Sequence, residues 1–225
     1  MFHIVTELLA LPRCTGCGAP GPEWCDACAL VLPDVQWHRI DDDLLLCSAF
    51  AFTGPIRQTI VDWKERQHRA ARERVERWFA AGLLPLLERR PELLCVPIPS
   101  APANDRLRGA RMLHEVLRAV GAPYSDALES TRERKDQAGL NRDARARNVQ
   151  DALRWTGDTN RPLLLVDDVV TSGATMRAAA RSLTVCGAHV WAAFGLARRG
   201  QLTSVAPRRQ GLPLFTNGKE VHHER

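Results

Sequence analysis

The stretch at residues 163–176, LLLVDDVVTSGATM, constrains the fold of this chain more than any other. Its apolar run has the length of a buried strand, and small and hydroxyl residues separate that run from a helical pattern. A buried apolar strand that leads directly into a helix is typical of parallel sheets with helices on both faces. The stretch therefore predicts an α/β domain with a mostly parallel sheet.

The rest of the chain repeats this alternation of strands and helices. Apolar runs predict further elements, namely strands at 44–52, 93–99, 161–166 and 189–197. Apolar spacing of three and four residues predicts helices that start at 54–55 and span 69–90, 109–120 and 174–186, with a kink at Pro85. Right-handed crossovers between such strands give the predicted fold class, an α/β fold whose mostly parallel sheet is flanked by helices.

Composition divides the chain into three parts. Residues 1–40 hold four of the seven cysteines together with several Pro and Gly, which predicts a small stapled module. Residues 41–198 carry the strand and helix pattern and are the predicted main domain. Residues 199–225 mix Arg, Pro, Gln, Gly and His, and we predict that they form a disordered tail.

The apolar stretches are too short to cross a membrane. The longest uncharged one, residues 44–56, is interrupted by Thr, Gly and Pro, so no transmembrane helix is predicted. The first residues lack a basic start and a small-residue cleavage site, so they do not resemble a signal peptide. We therefore expect a cytoplasmic, reducing location.

The N-terminal cysteines form two C-x-x-C pairs separated by seven residues. This spacing suits a tetrahedral Zn²⁺ ion, because each pair can wrap one side of it. Four thiolate ligands leave no coordination position for a substrate, so the metal is expected to be structural. Two disulfides or a redox pair are the alternative interpretation of the spacing. The predicted ligands are Cys14, Cys17, Cys25 and Cys28.

Two adjacent carboxylates, Asp167 and Asp168, follow the predicted strand at 161–166. Open α/β sheets bind ligands at the carboxyl ends of their strands. Two vicinal carboxylates can accept hydrogen bonds from two vicinal hydroxyls, and a ribose 2′,3′-diol has that geometry. The acidic pair therefore predicts a sugar-binding site.

A loop rich in hydroxyl groups follows the acidic pair and precedes a helix. Such a loop offers hydroxyls and unobstructed backbone N–H groups at a helix N-terminus, which is an anion site. A diol site beside a phosphate site predicts a ribose 5-phosphate ligand. An ordinary helix cap is the alternative interpretation. The loop residues are Thr171, Ser172, Gly173, Ala174 and Thr175.

The stretch at 163–176 resembles the phosphoribosyl pyrophosphate (PRPP) binding motif of type I phosphoribosyltransferases. Other segments are similar to the ComF-like branch of that family, the competence-associated proteins, and the resemblance spans roughly residues 5–198. Those segments are the cysteine pairs, FTGPIRQTIVDWKER at 52–66, VPIPS at 96–100, RLRGAR at 106–111 and KDQAGLNRDARARNVQDAL at 135–153.

The resemblance implies a type I phosphoribosyltransferase fold with an N-terminal zinc knuckle. It also implies that PRPP binds with Mg²⁺ and that the phosphoribosyl group passes to an acceptor that the sequence does not identify. Asp167 and Asp168 are the implied catalytic residues, which stabilise positive charge on the ribose as pyrophosphate leaves. The implied PRPP contacts are Val166, Asp167, Asp168, Val169, Val170, Thr171, Ser172, Gly173, Ala174 and Thr175.

Further residues are implied to bind the departing pyrophosphate and to cover the site. The segment at 131–148 is the candidate flexible hood that excludes water during transfer. For most single Arg and Lys side chains, an ordinary solvated charge is the alternative. The implied pyrophosphate side comprises Pro97, Ile98, Pro99, Lys64, Arg106 and Arg108, and the implied hood residues are Gln137, Arg142, Arg147 and Asn148.

The overall charge favours an anionic partner without choosing one. Lys and Arg outnumber Asp and Glu by 31 to 26. A second hypothesis implied by the resemblance is a competence factor that binds PRPP, a nucleotide or single-stranded DNA during DNA uptake and transformation. Single-strand binding uses stacking aromatics, and the one Tyr, six Trp and six Phe lie mostly in apolar runs. A third hypothesis is a domain that serves as an interaction scaffold.

Overall fold

The computed structural model describes residues 12–99, 112–130, 153–158, 160–200 and 202–205. A six-stranded sheet with the order β3-β6-β7-β2-β1-β8 organises these residues, and a separate hairpin pairs β4 with β5. The strands are β1 (Gln36–Arg39), β2 (Leu45–Ala51), β3 (Leu94–Pro97), β4 (Leu128–Ser130), β5 (Leu153–Trp155), β6 (Leu163–Val170), β7 (Val190–Arg198) and β8 (Thr203–Ser204).

Four neighbouring strands, β3, β6, β7 and β2, run parallel, and β1 and β8 complete the sheet in antiparallel pairings. The sheet confirms the predicted α/β architecture with a mostly parallel sheet. Within the described ranges, no helix is long and apolar enough to cross a membrane. The helices are α1 (Asp26–Ala29), α2 (Gly54–Arg66), α3 (Arg69–Arg89), α4 (Met112–Ala119) and α5 (Ala174–Val185).

Helices cover both faces of the sheet. On one face, side chains of α2, α3 and α4 pack with alternate strand residues such as Leu164 and Phe194. On the other face, α5 and the β4–β5 hairpin pack with the intervening residues, including Leu165 and Ala193. Because successive strand residues point to opposite faces, this double coverage explains why the strands read as continuous apolar runs.

Strand β6 corrects the predicted strand at 161–166, because it continues to Val170. On one side, its pairing with β3 ends at Pro97 and Val166. On the other side, its pairing with β7 continues until Val170 lies opposite Arg198. The acidic pair therefore lies within the last half of a strand, at the point where one neighbour ends, and not after the strand. Helix α3 continues through Pro85 to Arg89.

Four short strands, β1, β4, β5 and β8, lie where no strand was predicted, and two of them overlap segments assigned to other parts of the chain. Strand β1 falls within the residues assigned to the cysteine module, yet it pairs with β2 in the main sheet. Strand β8 falls within the predicted tail and pairs with β1. The division at residues 40 and 198 stays a prediction. The predicted hood and residues 100–111 lie outside the described residues.

Candidate functional site

The acidic pair occupies an open position of the sheet. Asp167 lies opposite Gly195 of β7, while β3 has already ended on the other side of β6. Among the described residues, no strand pairs with this side of β6 beyond the end of β3. This is the kind of crevice in which α/β sheets bind ligands.

The two carboxylates interact with each other, and they differ in their contact with a cation. Asp168 points towards the face that α2 covers, where Leu164 and Val166 also lie. From α2, the Lys64 ammonium contacts both Asp168 carboxylate oxygens, at 2.9 Å to Oδ1 and 2.6 Å to Oδ2. Lys64 was predicted on the pyrophosphate side, and here it forms an ion pair with the acidic residue itself.

The Asp168 carboxylate is the more deeply buried member of that ion pair. Its side chain is 9% exposed, against 37% for Lys64. Removing one partner of a buried ion pair costs about 3–5 kcal/mol, and the solvent contact of Lys64 lowers that figure here. The ion pair therefore stabilises β6 locally and compensates the negative charge of Asp168.

Backbone hydrogen bonds fix the orientation of both carboxylates. The Asp168 N–H donates to Asp167 Oδ1 at 2.8 Å, and the Val169 N–H donates to Asp168 Oδ1 at 2.7 Å. Burial and the negative charge of Asp168 raise the pKa of Asp167, and the Lys64 ammonium opposes that rise. The site thus has one carboxylate with its own counter-ion and one that is easier to protonate.

The loop after β6 presents its polar groups to solvent. Thr171, Ser172 and Thr175 are exposed, whereas Gly173 is buried and begins α5 with a φ of +72°. A Cβ atom on Gly173 would lie 2.7 Å from Cγ2 of Ile40. Both the left-handed backbone and the lack of space require glycine at this position.

Two contacts outside the loop hold it in place. The Arg177 guanidinium donates to the carbonyl oxygen of Ser172 at 3.1 Å and to that of Ile40 at 3.4 Å. At the end of β6, Val170 packs against Gly195, where an added Cβ would lie 2.8 Å from Cγ2 of Val170. The backbone N–H groups of the α5 N-terminus are therefore supported on both sides in an arrangement suited to an anion.

The segment predicted on the pyrophosphate side lies beside β6. Pro97 and Ile98 are buried and Pro99 is half-buried. The N–H of Ile98 donates to the carbonyl oxygen of Val166 at 2.8 Å, and proline has no N–H. Residues 97–99 thus offer a ligand no free backbone donor. Other predicted site residues lie outside the described residues: Arg106, Arg108, Gln137, Arg142, Arg147 and Asn148.

The four predicted cysteine ligands converge on one point. Their sulfur atoms all lie within 4.8 Å of one another, and the Sγ atoms of Cys17 and Cys25 are 3.7 Å apart. With Zn–S bonds of about 2.3 Å, a tetrahedral ion requires sulfur–sulfur distances of about 3.8 Å. The donor set and its dimensions therefore fit a zinc ion with four thiolate ligands.

The polar environment of the cluster favours a thiolate. Burial opposes ionisation of Cys14, but hydrogen bonds from the backbone N–H groups of Cys25, Cys17 and Gly16 outweigh it and lower the pKa of Cys14 to about 6. Burial and the neighbouring cysteine side chains raise the pKa of Cys28. The backbone thus stabilises the Cys14 thiolate, whereas ionisation of Cys28 would need a bound cation.

Aromatic contacts attach the cysteine module to α3. The rings of Trp24 and Trp78 meet edge to face with centroids 6.2 Å apart, and the Arg74 guanidinium lies 4.4 Å from the centroid of the Trp24 ring. Trp78 Nε1 donates to the carbonyl oxygen of Val31 at 3.1 Å. The module is therefore fixed to the helical layer.

A cavity of about 640 Å³ separates the cysteine module from α2. Gln58, Asp62 and Arg66 line it at four-residue spacing along one side of α2. Lys64 lies two residues from Asp62 and faces away from this cavity towards Asp168. The cavity and the acidic pair are therefore on different sides of the same helix.

Sequence reasoning missed several contacts that shape the site. Nothing in the sequence links Lys64 to Asp168, which is 104 residues away. The same is true of the contacts that Ile40 and Arg177 make to the loop. Gly195 did carry a signal, because a glycine inside an apolar strand marks a close approach of neighbouring chains.

Comparison with known proteins finds one related protein and no matching family model. The chain is 31% identical over 121 residues to "Competence protein ComFC" of Streptococcus pneumoniae (strain ATCC BAA-255 / R6). The match covers 53% of this chain and 54% of the relative, so the chain spans about half the length of the curated relative that it matches. This similarity supports a relationship to ComF-like proteins.

Proposed function

We propose that this protein binds PRPP with Mg²⁺ and transfers its phosphoribosyl group to an acceptor. The observation that carries the proposal is the continuity of the acidic pair with the loop at 171–175. A carboxylate pair at an open edge of β6 leads within three residues into an exposed hydroxyl loop at a helix N-terminus. These two features suit the diol and the 5-phosphate of one ribose 5-phosphate group.

In this proposal, each part of the site binds one part of the donor. Asp167 and Asp168 accept hydrogen bonds from the ribose hydroxyls, and the N–H groups of Gly173 to Thr175 bind the 5-phosphate. Loss of pyrophosphate from C1 leaves positive charge on the sugar ring, which the carboxylates stabilise. Carboxylate oxygens are ligands that Mg²⁺ accepts, and the remaining ligands would come from the donor's own oxygens and water.

The rest of the chain has supporting roles in this proposal. The four-cysteine module binds structural zinc, and residues 41–198 form a type I phosphoribosyltransferase-like domain that acts in the cytoplasm. The predicted hood at 131–148 covers the site during transfer.

Competition between sugar phosphates tests this division directly. Ribose 5-phosphate can bind at both parts of the site, because its phosphate accepts hydrogen bonds from the loop N–H groups and its two hydroxyls donate to the carboxylates. The analogue 2-deoxyribose 5-phosphate lacks one of those hydroxyls. Losing a hydrogen bond to a charged group costs about 1.5–3 kcal/mol, so the deoxy sugar should bind at least about tenfold more weakly. Ribose, which lacks the phosphate, should bind weakly as well. Equal affinities for the two sugar phosphates would remove the diol from the proposal.

A competence role is the second candidate, and the similarity to a competence protein favours it. In this version, the protein contributes to DNA uptake, with single-stranded DNA or competence proteins as partners and PRPP as a bound ligand. Binding to phosphates through Lys and Arg weakens steeply as salt rises. Oligonucleotide titrations at two salt concentrations, with the arginines at 132–147 neutralised in a variant, test whether that segment binds DNA. Unchanged affinity in the variant would exclude that segment as the DNA contact.

A further inference from the structure

The Lys64 ammonium occupies the position at which a ligand or metal ion would contact the Asp168 carboxylate. The ammonium touches both oxygens of the carboxylate, and the Val169 N–H takes a further position on Oδ1. A ligand that approaches Asp168 must therefore share or replace the ammonium. The contact joins α2 to β6, so it is a tertiary feature of the fold and not a local pair within one helix.

We propose that Lys64 is a tethered counter-ion that occupies the cation position of Asp168 until a ligand displaces it. The inference rests on the proposed function, because it assigns a regulatory role to the same site. A divalent ion alone gains little at this carboxylate, since it must first break an existing ion pair. A divalent ion that arrives with an anionic ligand gains more, because the released ammonium can then pair with that ligand.

The geometry permits this displacement. Lys64 keeps 37% of its side chain exposed, so its ammonium has a path to water, whereas Asp168 is held in place by its burial and by the Val169 N–H. Lysine carries a compact charge on a flexible four-carbon stem, which suits a group that moves between two partners. Within the described part of the chain, Lys64 pairs with Asp168, and no ion pair involves Asp167. One ammonium leaves the two carboxylates with a net negative charge, which a divalent ion would compensate.

A matched pair of variants tests the inference with Mn²⁺ alone as the probe. Lys64→Met removes the ammonium and keeps the length of the stem. Arg66→Met on the same helix removes a cation that also lies 2.6 Å from a buried aspartate, Asp62, on the side of α2 away from the site. We expect calorimetry to show Mn²⁺ binding at least about tenfold tighter in Lys64→Met than in the parent protein, because an occupied cation position is vacated. We expect no change in Arg66→Met.

Two outcomes overturn the inference. One is an equal Mn²⁺ affinity in the parent protein and in Lys64→Met. The other is an equal gain in Arg66→Met, which would reflect net charge alone.

A measurement on the unaltered protein covers the case in which Lys64→Met does not fold. The chain has three lysines, Lys64, Lys135 and Lys219, and Lys219 lies outside the proposed hood, so brief acetylation followed by mass spectrometry reads Lys64 against Lys219 as an internal reference. The ion pair should slow the reaction of Lys64. Saturating Mn²⁺ should raise the rate of Lys64 at least about fivefold relative to Lys219. An unchanged ratio of the two rates contradicts the displacement.

The same experiments separate this inference from the proposed function. Failure of the parent protein to bind PRPP with Mg²⁺ counts against the proposed function, whatever the Mn²⁺ result. Binding of PRPP together with an unchanged Mn²⁺ affinity in Lys64→Met keeps the proposed function and rejects the counter-ion role.

Discussion

Gly173→Ala should lower the free energy of unfolding through two separate effects, a strained backbone and a steric contact. Gly173→Ala places a side chain at a φ of +72°, which costs about 1–2 kcal/mol for an L-residue. The new Cβ would also lie 2.7 Å from Cγ2 of Ile40, and overpacking of this kind costs typically about 1–3 kcal/mol. The expected loss in the free energy of unfolding is therefore about 2–5 kcal/mol.

Gly121 supplies a control for the first effect alone. It has the same φ of +72°, and a Cβ added there meets nothing within 4 Å. Gly121→Ala should therefore lose only about 1–2 kcal/mol in urea unfolding followed by tryptophan fluorescence. The difference between the two variants measures the contact with Ile40.

A double-mutant cycle with Ile40→Ala isolates the same contact independently. Removing the Ile40 side chain removes all three atoms that crowd the new Cβ. Gly173→Ala should then cost about 1–3 kcal/mol less in the Ile40→Ala background than in the parent background. Equal losses for Gly173→Ala and Gly121→Ala, or no coupling with Ile40, would refute the conclusion that Ile40 fixes the loop.

Three further predictions concern the metal cluster, the acidic pair and the end of β6. Protein purified under reducing conditions should contain one zinc per chain, and chelation should speed hydrogen exchange across 12–35 while β6 and β7 stay protected; absence of zinc and iron contradicts the site. Because burial and the charge of Asp168 raise the pKa of Asp167, the folded protein keeps a proton that the unfolded chain loses above about pH 3.9, so the free energy of unfolding falls as pH rises above that value. Asp167→Asn should remove this fall, so the stability of the variant relative to the parent should increase as pH rises above about 3.9; a constant difference in urea unfolding contradicts this. Gly195→Ala should lower the melting temperature and weaken binding of phosphate ligands, because its Cβ would displace Val170 from the end of β6. Unchanged phosphate affinity would show that the position of Val170 does not affect the loop.

The sequence predicts the long elements because their apolar pattern extends along the whole element. Helix α3 and strand β7 each lie within one residue of their predicted bounds, since apolar residues recur along their whole length. The short strands β1 and β8 could not be found in this way. Strand β1 has four residues and β8 has two, which is too few for a periodic pattern. Their strand conformation depends on pairing at the edge of the sheet.

The end of β6 shows a different limit. The two acidic residues predicted a strand end, because buried carboxylates are costly. Strand β6 continues because β7 still pairs with it and because Lys64 compensates the charge of Asp168. Contacts across 104 residues of chain leave no trace in local pattern. The local order of acidic residues, hydroxyls and helix predicted where a ligand would bind, but not the cation that already lies there.

Calorimetric titration with PRPP and Mg²⁺ tests the central claim most directly. The parent protein should bind, and the double substitution Asp167→Asn with Asp168→Asn should abolish binding, because it removes both charges that the ribose and the metal require. Circular dichroism of the double variant should show that its sheet remains folded. No binding by the parent protein, or undiminished binding by the folded double variant, would contradict the assignment of this site.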